Sequence, residues 1–184
     1  MVFRGKEIRN RSPKEAIERG FAIVPEDRKD VGLILSHSIR NNVLITVLDK
    51  ISRFGFIRRK EEIEVSERYI SELNIKTPGS YLKVGALSGG NQQKVVIAKA
   101  LASGPMVVLL DEPTRGVDVG AKAEIYKIIN DLTTRGYAVI MVSSELPELI
   151  AVSDRIVVMH EGHMSGEVNA EDATEEILMN MAIR

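Results

Sequence analysis

The chain has no cysteine and no tryptophan, only 4% of its residues are aromatic, and its formal net charge is −1. Without a thiol there can be no disulfide, no thiolate nucleophile and no thiolate metal site. With 25 basic residues against 26 acidic ones, no global field favours nucleic acid or an anionic membrane surface. No apolar run approaches the roughly 18 residues of a membrane-crossing helix, and the first residues lack the shape of a signal peptide. The expectation is a soluble chain compatible with the cytoplasm. What is present is a 44% hydrophobic content over 184 residues, enough for the core of one domain, with no internal repeat and no low-complexity tract.

The most informative stretch runs from Val84 to Ala121. Leu87-Ser88-Gly89-Gly90 places a hydroxyl and two glycines where a helix should begin. Free backbone N–H groups there, with the helix dipole behind them, suit an anion such as a phosphate. After that helix, Met106 to Leu110 is a continuous apolar run closed by Asp111-Glu112-Pro113. A strand buried on both faces has this form, and here it delivers two carboxylates to its carboxyl end. An Asp in that place suits Mg²⁺, and an adjacent Glu suits orienting and deprotonating a water. Either motif alone is weak, but the two in this order, with one helix between them, are far more specific.

The rest of the chain reads as strands alternating with helices. Val2-Phe3 followed by Gly5-Lys6 suggests a hairpin. Ser12-Pro13-Lys14-Glu15 has the form of a capping box, and Gly20 suits the helix end. Phe21–Val24 reads as a buried strand, and Pro25 to Lys29 as a solvated charged turn. From Ser36 to Gly104 the spacing is mainly helical. Within it, Arg53 to Lys60 is basic and interleaved with aromatics, but Glu61, Glu62 and Glu64 follow. That favours a solvated helix start or a protein-docking surface over nucleic acid. Further helices are expected at 121–135, 147–151 and 174–181, with Thr174 as an N-cap, and strands at 138–142 and 156–159. His160 and His163 flank a turn glycine and read as surface residues rather than metal ligands, and His37 as a helix-start residue. The implied fold is α/β, with a mainly parallel sheet, helices on both faces and a helical insert.

The stretch 84–121 strongly resembles the signature motif, Walker B motif and D-loop of the ATP-binding-cassette ATPases, and the resemblance extends from about Phe21 to about Gly162. It implies a partial P-loop NTPase core over 1–35, a helical subdomain with the signature motif over 36–104, and the remaining core over 105–184. In that family two cassettes face each other around ATP and Mg²⁺. Carried over residue by residue, Ser88, Gly89, Gly90 and Asn91 would contact an ATP held mainly by a partner, Asn91 standing where most members have Gln. Asp111 would hold Mg²⁺ through water, and Glu112 would be the general base. Asp118 matches the D-loop Asp, and it also suits an N-cap for the next helix. The finer resemblance is to the second cassette of tandem ATPases of bacterial monosaccharide importers (ribose, galactose and xylose systems). It rests on Pro25-Glu26-Asp27-Arg28-Lys29, Leu87 to Lys94, Thr114 to Gly120 and Ser143 to Glu148. The partners this implies are a second cassette, transmembrane permease subunits and, indirectly, a sugar-binding protein. The place implied is the inner face of the cell membrane, on its cytoplasmic side, and no nucleic acid is implied.

Three departures accompany the resemblance. No G-x-x-x-x-G-K-[ST] phosphate loop occurs in the chain, so the chain alone is expected to bind ATP poorly and not to turn it over. Glu26 occupies the Q-loop Gln position and cannot donate as an amide does. Ser144 occupies the switch His position and cannot carry positive charge toward a γ-phosphate. The resemblance also places the phosphate-loop strand between those at 138–142 and 156–159. Its absence implies exposed sheet edges and self-association. Two alternatives stay open: a non-catalytic module whose signature face completes a partner's ATP site, and a cassette protein of translation or repair.

Overall fold

The computed structural model describes residues 1–53 and 56–183 and forms two units, 1–140 and 141–184. The first unit opens with a hairpin of β1 (Val2–Phe3) and β2 (Lys6–Glu7). Helix α1 (Pro13–Glu18) begins as its capping pattern predicts. The Ser12 hydroxyl accepts from the Glu15 amide, and the Glu15 carboxylate reaches back to the Arg11 amide at 2.7 Å. Gly20 follows with φ of +91°, which releases the chain into β3 (Phe21–Val24).

The charged turn expected at 25–29 has Glu26, Asp27 and Lys29 exposed and leads into a tight π-helical turn, Arg28–Gly32. The Asp27 carboxylate caps it by accepting from the Lys29 and Asp30 amides. The region 36–104 carries α2 (Ile39–Leu44), α3 (Leu48–Ile51), a short hairpin of β4 (Ser52–Arg53) and β5 (Phe56–Ile57), α4 (Arg59–Glu72) and α5 (Gly89–Ala102). The hairpin overlaps the basic aromatic stretch for which a solvated helix start or a protein-docking surface is expected. Phe54 and Gly55 lie outside the described residues. Ile39, Val43 and Leu44 of α2 are fully buried where that helix packs on α4 and α5, and the buried Tyr69 hydroxyl donates to the Leu101 carbonyl at 2.9 Å. Ten of the fourteen residues of α5 are buried, so this helix is the spine of the unit.

β6 (Val107–Asp111) pairs in parallel with β3, Ala22 opposite Val108 and Val24 opposite Leu110. These four side chains share one face by the period-two rule and are all buried. On the other face Ile23 is 60% exposed. Helix α6 (Val119–Thr134) buries Ile125, Ile128, Ile129 and Leu132 in one stripe, as the sequence spacing predicts. β7 (Ala138–Val142) completes a three-stranded sheet of order β3-β6-β7.

The second unit contains α7 (Leu146–Val152), β8 (Arg155–His160), β9 (His163–Asn169) and α8 (Glu175–Ile183), with the Thr174 hydroxyl capping α8 through the Ile177 amide. β8 and β9 form an antiparallel hairpin of their own around Gly162. Only the first of those two strands was expected, because the polar alternation of 163–169 disguises the second.

Candidate functional site

The structure brings three loops of the first unit together: the turn after β3, the start of α5, and the segment between β6 and α6. Ser88 is the N-cap of α5 and is exposed, Gly89 is half-buried and Gly90 is buried. The fourteen-residue helix therefore starts at an exposed serine hydroxyl, with the positive end of its dipole behind it, which is the arrangement that suits an anion. The serine side chain makes no bond to the helix amides. It accepts from the side-chain Nδ2 of Asn91 at 2.9 Å, and the side-chain Oδ1 of Asn91 accepts from the Lys76 backbone amide at 2.8 Å. Asn91 thus ties the signature turn to the segment after α4.

The two glycines are small for different reasons. A Cβ on Gly90 would lie 2.5 Å from the Ala121 Cβ, so α5 and α6 touch backbone to methyl there. A Cβ on Gly89 would lie 3.0 Å from the Arg28 guanidinium and 3.4 Å from the Gly116 carbonyl. Close approach, rather than a left-handed backbone, favours glycine at both positions, most strictly at Gly90.

Asp111 closes β6, and Asp111 and Glu112 are both half-buried at its carboxyl end. Glu112 has φ of +45°, a left-handed conformation that costs a non-glycine residue about 1 kcal/mol or more. Such strain persists only where the surroundings hold it, and here it turns the chain sharply into Pro113-Thr114, both buried. Asp118 takes its N-cap role, accepting from the Ala121 amide at 2.9 Å, with its side chain at the exposed end of the segment. Among the described residues no cluster of three or more His, Cys, Asp or Glu side chains could cage a metal. One or two carboxylates fit Mg²⁺ nonetheless, because that ion keeps several waters and completes its shell with phosphate oxygens.

Glu26 is exposed and pairs with the Arg115 guanidinium. The Arg28 guanidinium donates to the Arg115 carbonyl at 2.7 Å and to the Gly116 carbonyl at 3.0 Å. Asp27 is held below the usual carboxylate range, first by the Asp30 amide and then by the Lys29 amide. The turn is also fixed to α5, since Lys99 donates to the Gly32 carbonyl at 2.9 Å, and burial lowers the pKa of that ammonium. Sequence reasoning missed Arg28 because an arginine in a charged loop reads as solvated. Ser144 is exposed and belongs to the second unit. Its neighbour Ser143 donates at 2.5 Å to Glu148, a buried carboxylate whose spacing gave no warning of its burial.

The ABC transporter family pattern matches residues 1–115. The ribose import ATP-binding protein RbsA of Oceanobacillus iheyensis is 52% identical over 178 residues, covering 97% of this chain, and that of Bacillus subtilis gives the same figures. The chain spans 36% of the length of each of these relatives. Among solved structures, a nucleotide-free ATP-binding cassette from an ABC transporter superposes with a TM-score of 0.78 at 24% identity, covering 97% of this chain and 71% of its own. A dimeric post-hydrolysis ATP-binding cassette bound to ADP and Pi gives 0.71 at 23% identity, covering 85% and 66%.

Proposed function

This chain belongs to the ABC transporter family, and from that premise we propose that it is part of the ATP-binding subunit of a sugar importer, working within a pair of cassettes. The observation that carries the reading is the Ser88–Gly90 turn, its serine exposed, set against Gly116 in the segment after Asp111 and Glu112, with Glu112 held in a strained backbone. The 52% identity to ribose import ATP-binding proteins supports a sugar as cargo. The division into 1–35, 36–104 and 105–184 belongs to the same reading.

In this reading Ser88, Gly89, Gly90 and Asn91 bind the terminal phosphate of an ATP held mainly by the partner cassette. Mg²⁺, when bound, neutralises phosphate charge and orients the phosphoryl group. Asp111 would hold the metal through water, and Glu112 would take a proton from the attacking water as general base. Glu26 stands in the Q-loop place as an acceptor only. Ser144 stands in the switch place, where a hydroxyl orients by hydrogen bonding but supplies no charge. Asp118 communicates across the cassette pair from the head of α6. Permease subunits dock on the assembled pair at the cytoplasmic face of the membrane. No helix among the described residues is long and apolar enough to cross a membrane.

The test is ATP binding and hydrolysis by the chain alone and after addition of a complete cassette, each with and without Glu112→Gln. No turnover by the chain alone is expected, with turnover above that of the added cassette in the mixture. Turnover by the chain alone refutes the reading. A second reading is favoured by the uncharged Ser144: a non-catalytic module that completes the partner's site. In that case the mixture gains turnover and Glu112→Gln leaves the gain intact.

A further inference from the structure

The loop after β3 and the loop before α6 are joined twice, in opposite senses. Arg115 sends its guanidinium to Glu26, and Arg28 sends its own back to the Arg115 and Gly116 carbonyls. The second link is a planar fork on two consecutive peptide oxygens, a geometry that guanidinium matches and ammonium does not. Gly116 has φ of +68°, the left-handed turn at which its carbonyl receives this fork. The same guanidinium lies against Gly89, 3.0 Å from where a Cβ would stand, and its Nε is buried without a partner. A cation at the amino end of a helix faces the positive end of the helix dipole, so local electrostatics alone would not hold it there. The carbonyl fork holds it. One side chain therefore joins the start of α5 to the segment that carries Asp118, beside the direct contacts of Gly89 with the Gly116 carbonyl and of Gly90 with Ala121.

We propose that Arg28 is a positioning residue for ATP hydrolysis: it locks the Arg115–Gly116 backbone against Gly89, so that the signature turn and the Asp118 segment move as one piece with the turn after β3. This rests on the function proposed above. Arg28 touches neither nucleotide nor water in this role. It acts through the backbone that presents Ser88, Gly89 and Asp118. Misplacement by about 1 Å far from the chemistry is enough to lower a rate about a hundredfold, and a group that acts through geometry in the transition state lowers kcat and kcat/KM together, so the signature of Arg28 is a fall in kcat with KM for ATP little changed.

Two measurements test it. The first is amide hydrogen exchange of the 184-residue chain with Arg28→Lys and Arg28→Ala. Both are expected to speed exchange in the segment 115–120 by about tenfold or more, with β3 and β6 unchanged, because each loses the fork. The second is steady-state hydrolysis by the mixture with a complete cassette, where both variants lower kcat about tenfold or more while KM stays within about twofold. Lysine that restores wild-type exchange and kcat overturns the proposal, since charge and bulk would then suffice. So does a loss confined to KM, or faster exchange throughout the chain. The Glu112→Gln control separates the two claims: if the mixture shows no gain, or a gain that survives Glu112→Gln, the catalytic reading of this chain fails. The exchange data then still decide whether Arg28 locks the two loops.

Discussion

Lys94 offers the sharpest test of the energetics, because its side chain is 2% exposed while that of its partner Glu124 is 40% exposed. The ammonium is bonded at 2.7 Å to Glu124 and at 2.8 Å to the Asn74 carbonyl, tying α5 both to α6 and to the end of α4. This asymmetry makes the two ways of breaking the pair unequal. Glu124→Gln leaves a buried ammonium facing a neutral amide. Stripping the partner from a fully buried charge costs about 3–5 kcal/mol. Water reaching the exposed carboxylate screens the pair, and the Asn74 carbonyl remains, so a loss of about 2 kcal/mol is expected. Lys94→Met leaves only a solvated carboxylate and the Asn74 carbonyl, and fills the space with apolar atoms, for a loss of about 1 kcal/mol or less. At a urea m-value of about 2 kcal/mol/M, the midpoints fall by about 1 M and by about 0.5 M or less. The Glu124 carboxyl lies below its ordinary pKa, first through the hydrogen bond from Lys94 and then through that ammonium's charge. A lowered folded pKa means stability present above the unfolded value and lost as pH falls through the folded one. The wild-type and Glu124→Gln midpoints should therefore converge in acid, below the ordinary carboxylate range. Urea unfolding at pH 7 in which Lys94→Met is the more damaging change, or a gap that persists in acid, refutes the argument.

Three further outcomes are expected. Gly90→Ala drives a methyl into Ala121 and should cost about 1–3 kcal/mol by thermal or urea unfolding. In an Ala121→Gly background the same change should cost less, and equal costs in both backgrounds would show that the contact is not limiting. Ser143→Ala removes the donor to buried Glu148 and should cost about 1–3 kcal/mol, with Glu148→Gln in the same chain recovering part of it; no recovery would place the cost elsewhere. Ile23, 60% exposed on the sheet, and Ile140, 56% exposed, form apolar surface that should drive self-association of the purified chain. Light scattering should show smaller species for Ile23→Lys, and an unchanged size would remove this face from consideration.

The local elements were legible in the sequence because their signals are local. The Ser12 capping pattern, the Ile125–Leu132 stripe of α6, the apolar run of β6 and the glycine turn at 162 each depend on neighbours a few residues away. The motif order 87–94 followed by 110–118 likewise carried the family. What tertiary structure alone decided lies between segments distant in sequence. The Pro25–Lys29 loop is half of a clasp as well as a solvated turn, because its Arg28 finds two carbonyls 87 and 88 residues further on. Gly89 and Gly90 are fixed by what they touch, Arg28 and Ala121, as much as by the anion their amides suit. The strain at Glu112 and the burial of Lys94 also have no local cause. A periodic pattern reports which face of an element is apolar, but a polar side chain's partner is set by the packing of the whole chain, and only the folded coordinates contain it.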